Sequence, residues 1–325
     1  MNEHGFLPII DLHCDLLSYL FENKDAYYDD SKMGASLPYL KAGNVGLQVM
    51  AVYTDVVEGS TQHALKQVTQ FSNLFKKNEF HAISNNKLLE FKPQAIIAIE
   101  NVSGLCEEDM KLEQAFSNLE YILKLVKNIL YISLTHHKEN RFGGGNYSNI
   151  GLKHDGEVFL EFMNEKQIAV DLAHTSDALA YDIINFIDKK GLEIPVIASH
   201  SNFRKKFNHV RNLPDDLVDE IVKRKGVIGI NFLRAYLHHE NPEKLYEHIL
   251  YGFEKAADAL CFGADFFYTE DYPDSSRQPF YFPIHENASK YPSIISKLKE
   301  MGIEEEYVRK LAYKNAAEFI QREII

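Results

Sequence analysis

At 325 residues the chain is longer than most single domains but within the range of α/β barrels, and its 45% hydrophobic and 25% charged residues are ordinary for a globular protein. A formal net charge of −12 argues against a polyanionic partner such as nucleic acid and suits a divalent-cation site. No apolar run reaches membrane-span length, the opening MNEHGFLPII lacks a basic leader region, and three cysteines without CxxC spacing (Cys14, Cys106, Cys261) fit free thiols in a reducing cytoplasm rather than a disulfide framework.

In chain order, the first element is the run IIDLHC at 9–14, continued by Asp15 and Leu16. On a strand, residues two apart share a face, so Asp11, His13 and Asp15 point one way and Leu12, Cys14 and Leu16 the other. The plain reading is an edge strand with a polar face to water; the sharper one makes His13 and Asp15 a ligand pair at the end of a buried strand. Further apolar, β-branched runs follow at 45–53, 95–100, 129–136, 168–174, 195–200, 226–232 and 259–265. They are continuous rather than alternating, as expected of strands covered on both faces of a parallel sheet. Helix-period segments intervene, among them 61–78, 157–166, 178–191 and 214–226, the last two ending in Lys or Arg and then Gly. The GGG of RFGGGNYSN at 141–149 lacks a following GK[ST], so it reads as a flexible loop and not a phosphate cradle. The segment 304–324 reads as an amphipathic closing helix. Eight β-then-α units predict an α/β fold of the (β/α)8 TIM-barrel type, one domain over 1–325, with a doubly wound open sheet as the alternative.

Barrel enzymes carry their chemistry at the C-terminal ends of the strands. Read there, the eight runs offer His13 and Asp15, Glu100, His136, His174, His200, Asn231 and Asp265. Burying so many polar and ionisable groups together without a cation costs several kcal/mol each, on the order of the penalty for unpaired groups in an apolar interior. That convergence favours the ligand reading of His13 and Asp15.

With these residues in view, the chain resembles the membrane (renal) dipeptidase family, metallopeptidases of the amidohydrolase superfamily. The resemblance rests on IIDLHCDL, LPYLKAGNVGLQVMAVY, AIIAIEN, YISLTHHKEN, VDLAHTSD, VIASHSNFRKKFNHVRNLPDD and GADF, and runs over nearly the whole length. It departs from the family after Glu100, where Asn101 and Val102 stand for the usual glycine, and after Asp265, where Phe266, Phe267 and Tyr268 replace the usual FDG.

The resemblance implies two zinc ions, with manganese or cobalt as substitutes. His13 and Asp15 would hold one, His174 and His200 the other, and Glu100 would bridge them. It further implies hydrolysis of small dipeptides by a hydroxide shared between the ions, with Asp265 as general acid/base, His136 as donor to the developing oxyanion, and Arg211 as partner of the substrate's free carboxylate. The plainer alternatives are an orienting carboxylate for Asp265, a satisfied histidine for His136 with His137 pointing away, and pairing with Asp215 or Asp216 for Arg211. Asp11 is expected to support the strand, and Cys14 to turn away from the site. The family's habit implies a homodimer. The second reading of function is another activity on the same centre, namely hydrolysis of N-acyl amino acids, carbamates or lactones.

Overall fold

The structure is a computed structural model and describes residues 7–76, 78–83, 92–270 and 272–324. Residues 1–6, part of the stretch read for a leader, lie outside the described residues. Among the described residues nine parallel strands form one sheet: β1 (Ile9–Cys14), β2 (Val45–Tyr53), β3 (His81–Ala82), β4 (Gln94–Glu100), β5 (Ile129–Ser133), β6 (Ala169–Asp171), β7 (Val196–Ile197), β8 (Ile228–Ile230) and β9 (Leu260–Phe262). Eight of them run in the order β7-β6-β5-β4-β2-β1-β9-β8, and a parallel bridge between Ala198 and Ile228 joins the two ends. The result is the expected (β/α)8 barrel and not an open doubly wound sheet. The two-residue β3, which the sequence did not suggest, pairs outside this path with β4.

Strand β4 shows how the pattern builds the interior. Ala95, Ile97 and Ile99 pack outward against the helices, Ile96 and Ala98 pack inward, and Glu100 is the next residue of the inward series. Strand β1 breaks strict alternation. Its pairing with β2 shifts register between Asp11 and Cys14, and Leu12 joins the inner cluster while Cys14 joins the outer one. The C-terminal helix Asn315–Ile324 contributes Ala316, Phe319 and Ile320 to the inner cluster, the closing role expected of it.

The helix Asp177–Lys190 follows its sequence signals. Ser176 caps it by accepting the Leu179 N–H at 3.0 Å, and Gly191 ends it with φ +62°. The helix Asp215–Lys223 ends differently from expectation. Lys225, not Gly226, takes the positive φ (+58°), and Gly226 is required because a Cβ there would lie 1.9 Å from the Val196 carbonyl oxygen. The GGG segment is also corrected. It is a packed turn and not a flexible loop, with all three glycines buried and a Cβ on Gly145 falling 2.2 Å from the His136 carbonyl oxygen.

Candidate metal centre and substrate cleft

Four strands stop short of the apolar runs that announced them. Strands β5, β6, β7 and β9 end at Ser133, Asp171, Ile197 and Phe262, so His136, His174, His200 and Asp265 each sit three residues beyond a strand. Freed from the ladder, His174 and Asp265 adopt left-handed backbone conformations, φ +67° and +64°. Such conformations cost roughly 1–3 kcal/mol each outside glycine and persist where neighbours enforce them. Here Thr135 Oγ1 donates to the His174 carbonyl at 3.1 Å, the Asp265 N–H donates to the His13 carbonyl at 3.2 Å, and the Tyr281 hydroxyl donates to the Asp265 carbonyl.

Hydrogen bonds fix how the three strand-end imidazoles present themselves. The Tyr131 hydroxyl gives its proton to the Leu12 carbonyl (3.0 Å), so its 2.7 Å contact with His13 Nδ1 must be donated by His13. The same logic holds for His200. Ser199 Oγ donates to Asp171 Oδ2 (2.7 Å) and therefore accepts from His200 Nδ1 at 2.7 Å. His174 Nδ1 lies 3.1 Å from Asn146 Oδ1, an acceptor. All three rings thus turn their Nε2 lone pairs into the barrel mouth, those of His13 and His200 without a hydrogen-bond partner and that of His174 facing Arg211 Nη2, the arrangement that partners behind metal-binding histidines enforce.

What those lone pairs face is more lone pairs. His13 Nε2 stands 3.8 Å from Asp15 Oδ2, 3.7 Å from Glu100 Oε2 and 3.7 Å from Asp265 Oδ1. Glu100 Oε1 faces the other side, 3.0 Å from His174 Nε2 and 3.5 Å from His200 Nε2. His13 Nε2, His200 Nε2, Asp15 Oδ1 and Glu100 Oε1 are buried without a hydrogen-bond partner. Burial alone would lower the His13 pKa, but the Glu100, Asp15 and Asp265 carboxylates outweigh it and push it up to about 10. Burial pushes the Glu100 carboxyl well above its ordinary range and lowers His174 and His200 well below theirs. A pocket that holds a proton this firmly on an imidazole, amid unpaired buried oxygens, is built for positive charge. The donor set of imidazole nitrogens and carboxylate oxygens fits divalent cations of the zinc class. Glu100 is shared by two clusters of converging ligand atoms, one with His13 and Asp15 and the other with His174 and His200.

The remaining expected residues meet at the same mouth. Asn231 Nδ2 donates to Asp265 Oδ2 at 2.8 Å, leaving Oδ1 turned toward His13, and burial raises the Asp265 carboxyl to about 6. Arg211 pairs with neither Asp215 nor Asp216. It is buried, its guanidinium 5.1 Å above the Tyr236 ring, with Nη1 3.2 Å from Ser201 Oγ and Nη2 3.2 Å from the His200 carbonyl and 3.3 Å from His174 Nε2. His209, which carried no expectation, accepts the Arg211 backbone N–H at 3.1 Å. The His136 ring lies tilted 4.1 Å from that of His174 and meets Tyr53 edge-on at 4.7 Å. His137 does not point away from the site. With β5 ended at Ser133 there is no alternation to turn it, and its ring lies 3.9 Å from His136. Asp11 supports the strand as expected, accepting from the His13 and Ala264 N–H groups and from Tyr291, and Cys14 is buried in the outer cluster.

A cleft of about 250 Å³ has Asp15, Glu100, His136, His174 and Asp265 in its lining. Sequence reasoning did not find Tyr131, Asn146, Ser199 and Asp171, which orient the histidines. One signal was available: every ligand histidine requires a partner on its second nitrogen, and Asp171 and Ser199 stand within three residues of His174 and His200.

Comparison with known proteins agrees with this geometry. The membrane dipeptidase family, peptidase family M19, matches residues 4–323. Dipeptidase tcpJ of Claviceps purpurea is 29% identical over 227 residues, covering 66% of this chain and 50% of its own length, so the match spans about half of that relative. Among solved structures, dipeptidase AC, a family M19 metallopeptidase, superposes with a TM-score of 0.83 at 18% identity, covering 98% of this chain and 99% of the other. A metallopeptidase of Rhodobacter sphaeroides, solved with a phosphinate mimic of the dipeptide L-Ala-D-Ala, gives 0.82 at 17% identity, covering 98% and 100%. At these identities the two structures speak for the fold, and the family match carries the assignment: the chain belongs to the membrane dipeptidase family, the M19 metallopeptidases.

Proposed function

We propose that the protein is a metal-dependent dipeptidase that hydrolyses small dipeptides bearing a free carboxylate at a two-ion centre. His13 and Asp15 would hold one ion, His174 and His200 the other, with Glu100 between them; zinc is the expected metal and manganese or cobalt its substitutes. One observation carries the reading: Glu100 turns one carboxylate oxygen toward His13 and the other toward His174 and His200. Bound there, a pair of divalent ions supplies Lewis acidity to a carbonyl and makes a water acidic enough to ionise near neutral pH.

The chain's own groups account for the rest of the chemistry. Asp265, with Oδ2 tied to Asn231 and Oδ1 free toward the cleft, is suited to take the proton of the attacking water and pass it to the leaving amine. Its carboxyl, raised to about 6 by burial, is matched to proton transfer near neutral pH. His136, held neutral by burial well below the ordinary imidazole range, is a donor for the oxyanion that develops on the substrate. Arg211, a buried guanidinium at the cleft, is the counter-charge for the terminal carboxylate; when the His174 lone pair is taken, Nη2 is released for that partner.

A screen of dipeptides and the corresponding C-terminal amides, with and without chelator, tests the reading. Chelator-sensitive hydrolysis of free dipeptides is expected. Arg211→Met should lower kcat/KM for the free dipeptide roughly tenfold to a hundredfold, as for loss of a charge-assisted pair, and hardly affect the amide. Preferential hydrolysis of N-acyl amino acids or lactones instead would overturn it in favour of the second activity.

A further inference from the structure

The segment after Asp265 brings a cation into the lining of the cleft. Phe267, Tyr272 and Phe280 form an aromatic cluster, with ring separations of 5.0 Å for Phe267–Phe280 and 4.7 Å for Tyr272–Phe280. The Arg277 guanidinium lies on it, 4.9 Å from the Tyr272 ring and 5.3 Å from the Phe280 ring, with Nη1 donating to the Tyr272 hydroxyl. Cation–π seating of this kind holds a guanidinium without neutralising it. The segment itself is tied down: Gln278 Nε2 donates to the Thr269 carbonyl at 3.0 Å, and Arg234 Nη1 to the Pro279 carbonyl at 2.7 Å.

Arg277 lines the same cleft as Glu100, His136 and Asp265. Among the described residues no carboxylate lies within ion-pair distance of it, although most other arginines of the chain have one. Its neighbours place it on the Arg211 side. The 233–236 segment links them: the Arg234 N–H donates to the Phe280 carbonyl at 2.9 Å, and Tyr236, which lines the cleft with Arg277, carries the Arg211 guanidinium 5.1 Å from its ring. Arg277 thus stands in the cleft wall and Arg211 directly behind the lining residues His174 and Tyr236, and a terminal carboxylate uses only one of the two guanidiniums.

We propose that Arg277 is a specificity-determining residue that selects dipeptides with an acidic C-terminal residue, pairing its guanidinium with the side-chain carboxylate while Arg211 holds the main-chain one. The inference rests on the dipeptidase reading of the site. A planar guanidinium fixed on an aromatic platform is suited to bidentate pairing with a carboxylate, and an uncharged isostere of the side chain gains nothing from it.

The test compares kcat/KM for Ala-Asp against Ala-Asn and for Ala-Glu against Ala-Gln, each with the C-terminal residue in both L and D configurations. The zinc-loaded wild type should favour the acid over its amide isostere by roughly two- to fivefold, the range for an exposed ion pair. Arg277→Met should abolish that ratio and Arg277→Lys should retain part of it. Because the readout is a ratio within each protein, a general loss from a disturbed loop cancels. Hydrolysis of these dipeptides without acid preference, or a preference that survives Arg277→Met, would overturn the inference and leave the dipeptidase reading standing. Failure to hydrolyse any of them or Ala-Ala would overturn both.

Discussion

Two sets of buried carboxylates in this barrel live under opposite conditions. Asp11 and Asp171 are enclosed by donors: Asp11 accepts from two backbone N–H groups and Tyr291, and Asp171 from Ser133, from the Ser199 hydroxyl and N–H, and from Ala173. Asp15 and Glu100 are also buried but leave oxygens without donors, and imidazole nitrogens stand close to them. All four are buried carboxylates. What separates a structural carboxylate from a functional one is whether the fold supplies its hydrogen bonds or leaves that charge for a ligand.

The largest expected effect lies with the carboxylate that belongs half to each set. Asp265 has one oxygen satisfied by Asn231 and one facing the cleft. Asp265→Asn should lower kcat roughly 10²- to 10⁴-fold, the range for loss of general acid/base catalysis, with metal content unchanged. Loss of an ion in elemental analysis of the variant would make it a ligand instead.

Stability measurements should then divide the two sets. Asp171→Asn leaves buried donors unpaired and should cost about 2–3 kcal/mol in urea unfolding. Glu100→Gln in metal-free protein should cost nothing or stabilise, because burial disfavours the ionised carboxyl there. Equal losses in the two variants would erase the distinction.

Tyr131→Phe probes the groups behind the ligands. It removes the acceptor that fixes the His13 tautomer, and zinc affinity by competition with a chelator should fall about tenfold to a hundredfold. An unchanged affinity would mean that His13 does not ligate through Nε2.

The smallest expected effect is on the pH dependence of stability. In metal-free protein the His13 pKa is raised from 6.5 to about 10, so the folded state binds a proton more tightly than the unfolded one. Its stabilisation is full below about pH 6.5 and is lost as pH rises through about 10. The raised Glu100 carboxyl acts in the same direction. The Tm of metal-free protein should therefore fall from pH 6.5 to 10, while the zinc-loaded protein, in which the cation replaces the proton, should not follow it. Parallel curves would contradict a cation at His13.

Much of this was legible in the sequence. Continuous β-branched runs gave the eight barrel strands because both faces of a parallel sheet are covered, and polar residues at or near the ends of seven of them marked the mouth. Where a strand stops was not legible: apolar character continues through Leu134 and Leu172 although the strands have ended, and these residues are buried beyond them. That is why alternation misjudged His137. The orienting groups were hidden for another reason. Tyr131 reaches His13 across 118 positions of sequence, and no local pattern records such a contact. No helix among the described residues is long and apolar enough to cross a membrane.

The central claim, that the unpaired carboxylates and imidazoles at the barrel mouth form a two-ion centre bridged by Glu100, is tested most directly by counting ions. Elemental analysis of protein purified without chelator and reconstituted with excess zinc should give about two ions per chain. The same measurement on Glu100→Gln should give one or none. A wild-type count that stays at one would remove the bridging role of Glu100 and contradict the account.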